Sequence, residues 1–129
     1  MNIDEISPLI LAYVGDSALE LLVREKLALS GNSHPGEVNK MALNYVTAKN
    51  QSVACARLKP YLDERESDIF RRGKNAKSNS NPRNVTIYEY RRATGLEAVF
   101  GYNYLVGNHE RNRELFAIAY GDAPTEPLA

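Results

Sequence analysis

A single cysteine, no net charge and no long apolar run are the first things to note in this chain. One thiol excludes an internal disulfide, and Cys55, within Val53-Ala54-Cys55-Ala56, reads as a small buried hydrophobe. A reducing cytoplasm fits that usage. No stretch reaches the roughly 18 apolar residues of a membrane-spanning helix, and the N-terminus lacks the basic-then-apolar pattern of a secretory leader. Repeats, low-complexity tracts and inter-domain linkers are missing too. At 129 residues the chain suits one core rather than two. Residues 1–129 therefore read as a single domain, with its core at about 5–120 and a frayed tail from Gly121.

The zero net charge argues at first against a polyanionic partner, but it hides an asymmetry. Residues 71–92 hold seven bases (Arg71, Arg72, Lys74, Lys77, Arg83, Arg91 and Arg92) against Glu89, a net of +6 that the rest of the chain must balance. One basic segment on an acidic body is what a localised polyanion contact requires.

The apolar periodicity is helical throughout. Ser7-Pro8 supplies an N-cap and a first-turn proline for a helix to about Leu29, stopped by Ser30-Gly31-Asn32. Pro35 opens a second helix to about Arg57, and Pro60 a third to about Arg72. Asn84 or Thr86 caps a fourth to about Val106, and a fifth runs from His109 to Tyr120. Residues 73–84 are dense in Gly, Asn, Ser and Pro and poor in apolar side chains, so they read as a loop. Such a loop is long for a helical domain, and long loops are functional or disordered. Its bases and amides, with Arg71 and Arg72 beside it, suit phosphate oxygens and sugar hydroxyls. Arg71, Arg72, Lys74, Asn75, Lys77 and Arg83 are the candidate nucleic-acid contacts.

Two acids stand out against the helical pattern. In the first helix Leu9, Tyr13, Asp16, Glu20, Val23 and Leu27 step along one stripe. In the fourth, Tyr90, Thr94, Glu97, Gly101 and Tyr104 do the same. An ionised carboxylate on an apolar stripe is costly unless a cation or donors compensate it. Carboxylates brought together from two helices suit a hard divalent cation such as Mg²⁺. Glu20, one turn from Asp16, either supports it or pairs with a base. Lys49, on the stripe of the second helix, either snorkels to solvent or stands beside the carboxylates. Gly15, Gly95 and Gly101 lie inside helices next to the acids, where each costs up to about 1 kcal/mol relative to Ala. Close approach of two backbones is the physical use of such residues. The first helix is apolar on more than one face, through Ile10, Leu11, Val14, Leu19, Leu21, Leu22 and Val23, which calls for a second chain to cover it.

Gly15-Asp16-Ser17-Ala18-Leu19-Glu20, followed by Leu96-Glu97-Ala98-Val99-Phe100-Gly101 about eighty residues on, resembles the ribonuclease III catalytic domain. With Arg71-Arg72-Gly73-Lys74-Asn75-Ala76-Lys77-Ser78 and the Tyr90 to Thr94 stretch, it resembles the Mini-ribonuclease III form, which lacks a separate double-stranded-RNA-binding domain. The resemblance implies an all-α homodimer that cleaves double-stranded RNA with Mg²⁺, Mn²⁺ being a possible substitute. It makes Asp16 and Glu97 the metal-binding catalytic residues and the precursor of large-subunit ribosomal RNA the usual substrate. Larger members carry two more acids, at the positions of Ala12 and Thr94 here, so water and RNA phosphates must supply more of the ligands. The alternatives are a catalytically silent dimer of the same fold that holds structured RNA, and a purely structural helical dimer.

Overall fold

The computed structural model describes residues 2–31, 34–77 and 86–121. Six α-helices follow in order: α1 Pro8–Ala28, α2 Pro35–Val46, α3 Ala48–Leu58, α4 Glu64–Asn75, α5 Ile87–Leu105 and α6 His109–Tyr120. Among the described residues there is no strand, so the fold is all-α, as the periodicity predicts. Local chemistry sets most of the ends. Ser7 accepts from the Ile10 amide ahead of Pro8, Asn108 accepts from the Arg111 amide, and Thr86 forms a reciprocal capping box with Glu89.

Helix α5 runs through the middle and packs on α1, α3, α4 and α6. From Ala93 to Gly101 every residue is buried except Glu97, which is half-buried. A helix apolar on all sides belongs in a core, and the single gap in this one is a carboxylate. Around it, Leu11, Leu19, Val23, Leu58, Ile69, Phe70, Leu115 and Phe116 complete the core. Tyr45, Phe116 and Tyr120 cluster at one end, where the Tyr120 hydroxyl donates to the Tyr45 carbonyl at 3.0 Å.

Three boundaries differ from the sequence expectation. The second helix is two: Thr47 is extended (φ −69°, ψ 150°), and its hydroxyl caps α3 by accepting from the Asn50 amide. A threonine that offers its side chain to the backbone competes with the helix locally. Pro60 lies in a 3₁₀ turn, Lys59–Tyr61, and α4 starts later because Asp63 and Glu66 form a capping box. Lastly, α4 continues through Gly73 to Asn75 rather than ending at the glycine. Gly73 packs on α5, where an added Cβ would lie 3.0 Å from the Gly95 Cα and 3.1 Å from the Ala98 Cβ. It serves close packing there, not chain reversal. The remainder of the expected loop, 78–84 with Arg83, and the tail 122–129 lie outside the described residues.

Candidate active site

Glycine brings the two acid-bearing helices into backbone contact. A Cβ on Gly15 would stand 1.6 Å from the Glu97 carbonyl oxygen, and one on Gly101 1.9 Å from the Leu11 carbonyl oxygen. No other residue fits at either crossing, so Asp16, next to Gly15, meets Glu97 across it. The buried face of α1 is Leu11, Ala12, Gly15, Ala18, Leu19, Val23 and Leu27. The expected stripe through Leu9, Tyr13 and Asp16 is instead exposed in the single chain, Tyr13 to 77%. The packing of α5 on the glycine face turned the helix by about one residue from that expectation. Asp16 therefore reaches Glu97 from the solvent side.

The environment of Glu97 is unbalanced. Burial, and then the charge of Asp16, push its carboxyl up to about 8, against a lowering hydrogen bond from Gln51. Gln51 Nε2 donates to Glu97 Oε2 at 3.3 Å. Two carboxylates thus converge with one neutral donor to compensate them. That donor set, all hard oxygens open on one side to solvent, suits a divalent cation with several waters. Among the described residues no group of three or more His, Cys, Asp and Glu forms a ligand cluster. Ala12 is buried, and Thr94 donates its hydroxyl to the Tyr90 carbonyl at 3.0 Å, so neither joins the pair.

Other candidates fall outside this pair. Glu20 pairs with Arg24 at 3.1 Å, one turn along α1. Lys49 is exposed, because the break at Thr47 ends the stripe it was assigned to. That break puts Gln51 inward instead. Periodicity read through a continuous helix missed Gln51, although its spacing to Ala54, Cys55 and Leu58 follows an inward face once α3 starts at Thr47. Cys55 is buried and donates to the Arg92 carbonyl. His34 and His109 are exposed, the latter edge-on to Tyr104.

The bases of residues 71–77 occupy the last turns of α4 and the two residues after it. Arg71 pairs with Asp68, Arg72 and Lys74 are half-buried, and Asn75 and Lys77 are exposed. Cations are favoured at a helix C-terminus, where backbone carbonyls point outward. The helical end thus holds part of the basic segment in a defined place.

Residues 9–108 match the model of the ribonuclease III domain. The chain is 40% identical over 114 residues to a Mini-ribonuclease 3 of Thermoanaerobacter sp., covering 88% of this chain and 80% of that one. It is 41% identical over 121 residues to a Mini-ribonuclease 3 of Brevibacillus brevis, covering 91% and 90%. Its fold resembles the crystal structure of a Fusobacterium nucleatum protein with a TM-score of 0.79 at 35% identity, covering 88% and 91%.

Proposed function

This chain belongs to the ribonuclease III domain family, and on that premise we propose that it is a Mg²⁺-dependent endoribonuclease that cuts double-stranded RNA. Its substrate would be the precursor of large-subunit ribosomal RNA, its working form a homodimer and its whole length one catalytic unit. One observation carries the chemistry. The only break in the buried run of α5 is a carboxylate, and it faces a second carboxylate from α1 with one neutral donor beside them.

Asp16 and Glu97 would hold the cation, Mn²⁺ serving in place of Mg²⁺. A divalent ion held there would polarise the phosphate, lower the pKa of a bound water and stabilise the leaving oxygen. Glu97, half-buried, anchors the site in the core, and exposed Asp16 leaves its outer side open to a phosphodiester. Gly15 and Gly101 keep the acids together by letting the two backbones touch. The bases at the end of α4 neutralise backbone phosphates. Their contacts favour A-form shape over base identity, because the narrow major groove of duplex RNA hides base edges.

Support for a dimer comes from the open side of α1. Ile10, Tyr13 and Leu21 are more than half exposed on it, and Tyr104 extends the patch from the end of α5. A groove of about 360 Å³ lined by Tyr13, Asp16, Ser17, Leu21 and Tyr104 makes this face continuous with Asp16.

The test is incubation of the purified protein with long duplex RNA, and with duplex DNA of the same sequence, with and without Mg²⁺. RNA cleavage that needs Mg²⁺ is expected, with the DNA intact. Asp16→Asn and Glu97→Gln should stay folded and bind duplex RNA, because removing a repelling charge leaves the core undisturbed. Each should lose orders of magnitude in rate, about 1.4 kcal/mol of barrier per tenfold. Parental cleavage by Glu97→Gln would refute the metal site, and binding without cleavage by the parent would leave a silent RNA-binding dimer.

A further inference from the structure

Gln51 is 2% exposed and sits on the face of α3 that carries Ala54, Cys55 and Leu58. Those residues lie three, four and seven positions on, the spacing of an inward helical stripe. A leucine would complete that stripe with no polar group to satisfy. An amide in the same place is unfavourable unless it finds a partner, and the partner here is Glu97 Oε2, 46 residues away in sequence and 3.3 Å from Nε2. The contact spans two helices, α3 and α5, and it ends on the one carboxylate that interrupts the buried run of α5.

We infer that Gln51 is a positioning residue of the metal site, its amide holding one oxygen of Glu97 from the core side. This inference rests on the proposed function of the Asp16–Glu97 pair. Glutamate has three rotatable side-chain bonds, so a carboxylate without a fixed partner has several directions open to it. Pinning Oε2 sets the direction of the carboxylate and leaves its other lone pairs facing Asp16 and solvent. The residue type matters as much as the place. A lysine here would pair with Glu97 and cancel the charge that attracts a cation, and a third carboxylate would add repulsion. An amide orients the ligand and adds no charge. Thr47 is part of the same device, because the helix break it caps gives α3 the register that turns Gln51 inward.

Hydrogen-bond partners that orient metal-ligating side chains typically contribute about 10–100-fold in metal affinity or activity. The experiment compares the full-length parent with Gln51→Met, which keeps length and burial, Gln51→Leu, and Asp16→Asn. Cleavage of duplex RNA is followed across a Mg²⁺ series, and Mn²⁺ binding to the RNA-free protein is followed by its paramagnetic resonance. For Gln51→Met the half-saturating Mg²⁺ concentration should rise about 10–100-fold, with the rate recovering at high Mg²⁺. Mn²⁺ affinity should fall by a similar factor, while the metal-free thermal midpoint and metal-free affinity for duplex RNA stay parental. A purely structural residue would not move the Mg²⁺ dependence while sparing the midpoint. A folded Gln51→Met with parental Mg²⁺ and Mn²⁺ behaviour, beside an inactive Asp16→Asn, would overturn this inference alone. Parental metal binding and cleavage by Asp16→Asn would overturn the metal site and the inference with it. Failure of both Gln51 variants to fold would make Gln51 a core residue and overturn the inference as well.

Discussion

Glu66 and Glu97 are both acids set against the core, and their surroundings drive them in opposite directions. Glu66 is 2% exposed, and its oxygens accept from Arg111 Nε and Nη2, Asn103 Nδ2 and the Asp63 amide. Burial alone would raise its carboxyl, but the hydrogen bonds from Arg111, Asp63 and Asn103 outweigh it and hold the group below its ordinary value. Glu97 has a like charge beside it and one neutral donor, and is raised. The first is a satisfied structural network, and the second an arrangement that a cation would complete. Arg111→Ala, which strands the Glu66 carboxylate, should cost about 3–5 kcal/mol in urea unfolding at pH 7. The sign with pH follows from the lowered pKa. Its contribution is fully present above the unfolded carboxylate value of about 4.3 and disappears as pH falls through the lower folded value. The gap between parent and Arg111→Ala should therefore narrow on acidification. A constant gap from pH 7 to pH 3 would contradict the network.

Among the elements, the crossing of α1 and α5 at Gly15 and Gly101 sets how Asp16 and Glu97 meet. Alanine at Gly15 would gain up to about 1 kcal/mol in helix propensity. Its Cβ would also lie 1.6 Å from the Glu97 carbonyl oxygen, so the helices must part. Overpacking costs about 1–3 kcal/mol and sometimes more, which outweighs the propensity gain. Gly15→Ala should be destabilised in urea unfolding, and cleavage should fall further than stability, because the clash is with the acid-bearing residue itself. Gly73→Ala should be milder, since the nearest atom on α5 is 3.0 Å away. Equal stability of parent and Gly15→Ala would show that the crossing is looser than described.

For the whole molecule, the net positive charge is gathered in one segment of the sequence. The bases concentrate in residues 71–92 and the balancing acids elsewhere. Changing Arg71, Arg72, Lys74 and Lys77 to Ala should leave the unfolding midpoint nearly unchanged and flatten the salt dependence of duplex-RNA binding. Each lost phosphate contact lowers the slope of log affinity against log salt by about 0.7–0.9. An unchanged slope would put the RNA contact elsewhere. On the proposed reading, the open face of α1 serves assembly. Sedimentation should give twice the mass of the chain, and Leu21→Glu, at a position 63% exposed, should return it to one chain while the helices persist. A parent that sediments as a single chain would remove the dimer.

Several features were legible from the sequence because they depend on neighbours within about four residues. Ser7 and Thr86 cap their helices through local hydrogen bonds as expected, and α6 has the expected limits. The apolar periodicity carried the all-α fold, and Gly15 and Gly101 signalled the close approach of the two acid-bearing helices, whereas Gly95 packs on Phe70 of α4 instead. What depends on packing partners was not legible. The burial of α1 on its glycine face, which leaves Tyr13 and Asp16 outside, was decided by where α5 lies. Gly73, a breaker by composition, became a helix-packing residue once Gly95 faced it. Thr47 split a helix that apolar steps alone would continue, and so set Gln51 against Glu97. Hydrogen bonds along the chain belong to local sequence, whereas burial and the pairing of distant side chains exist only after the helices have packed.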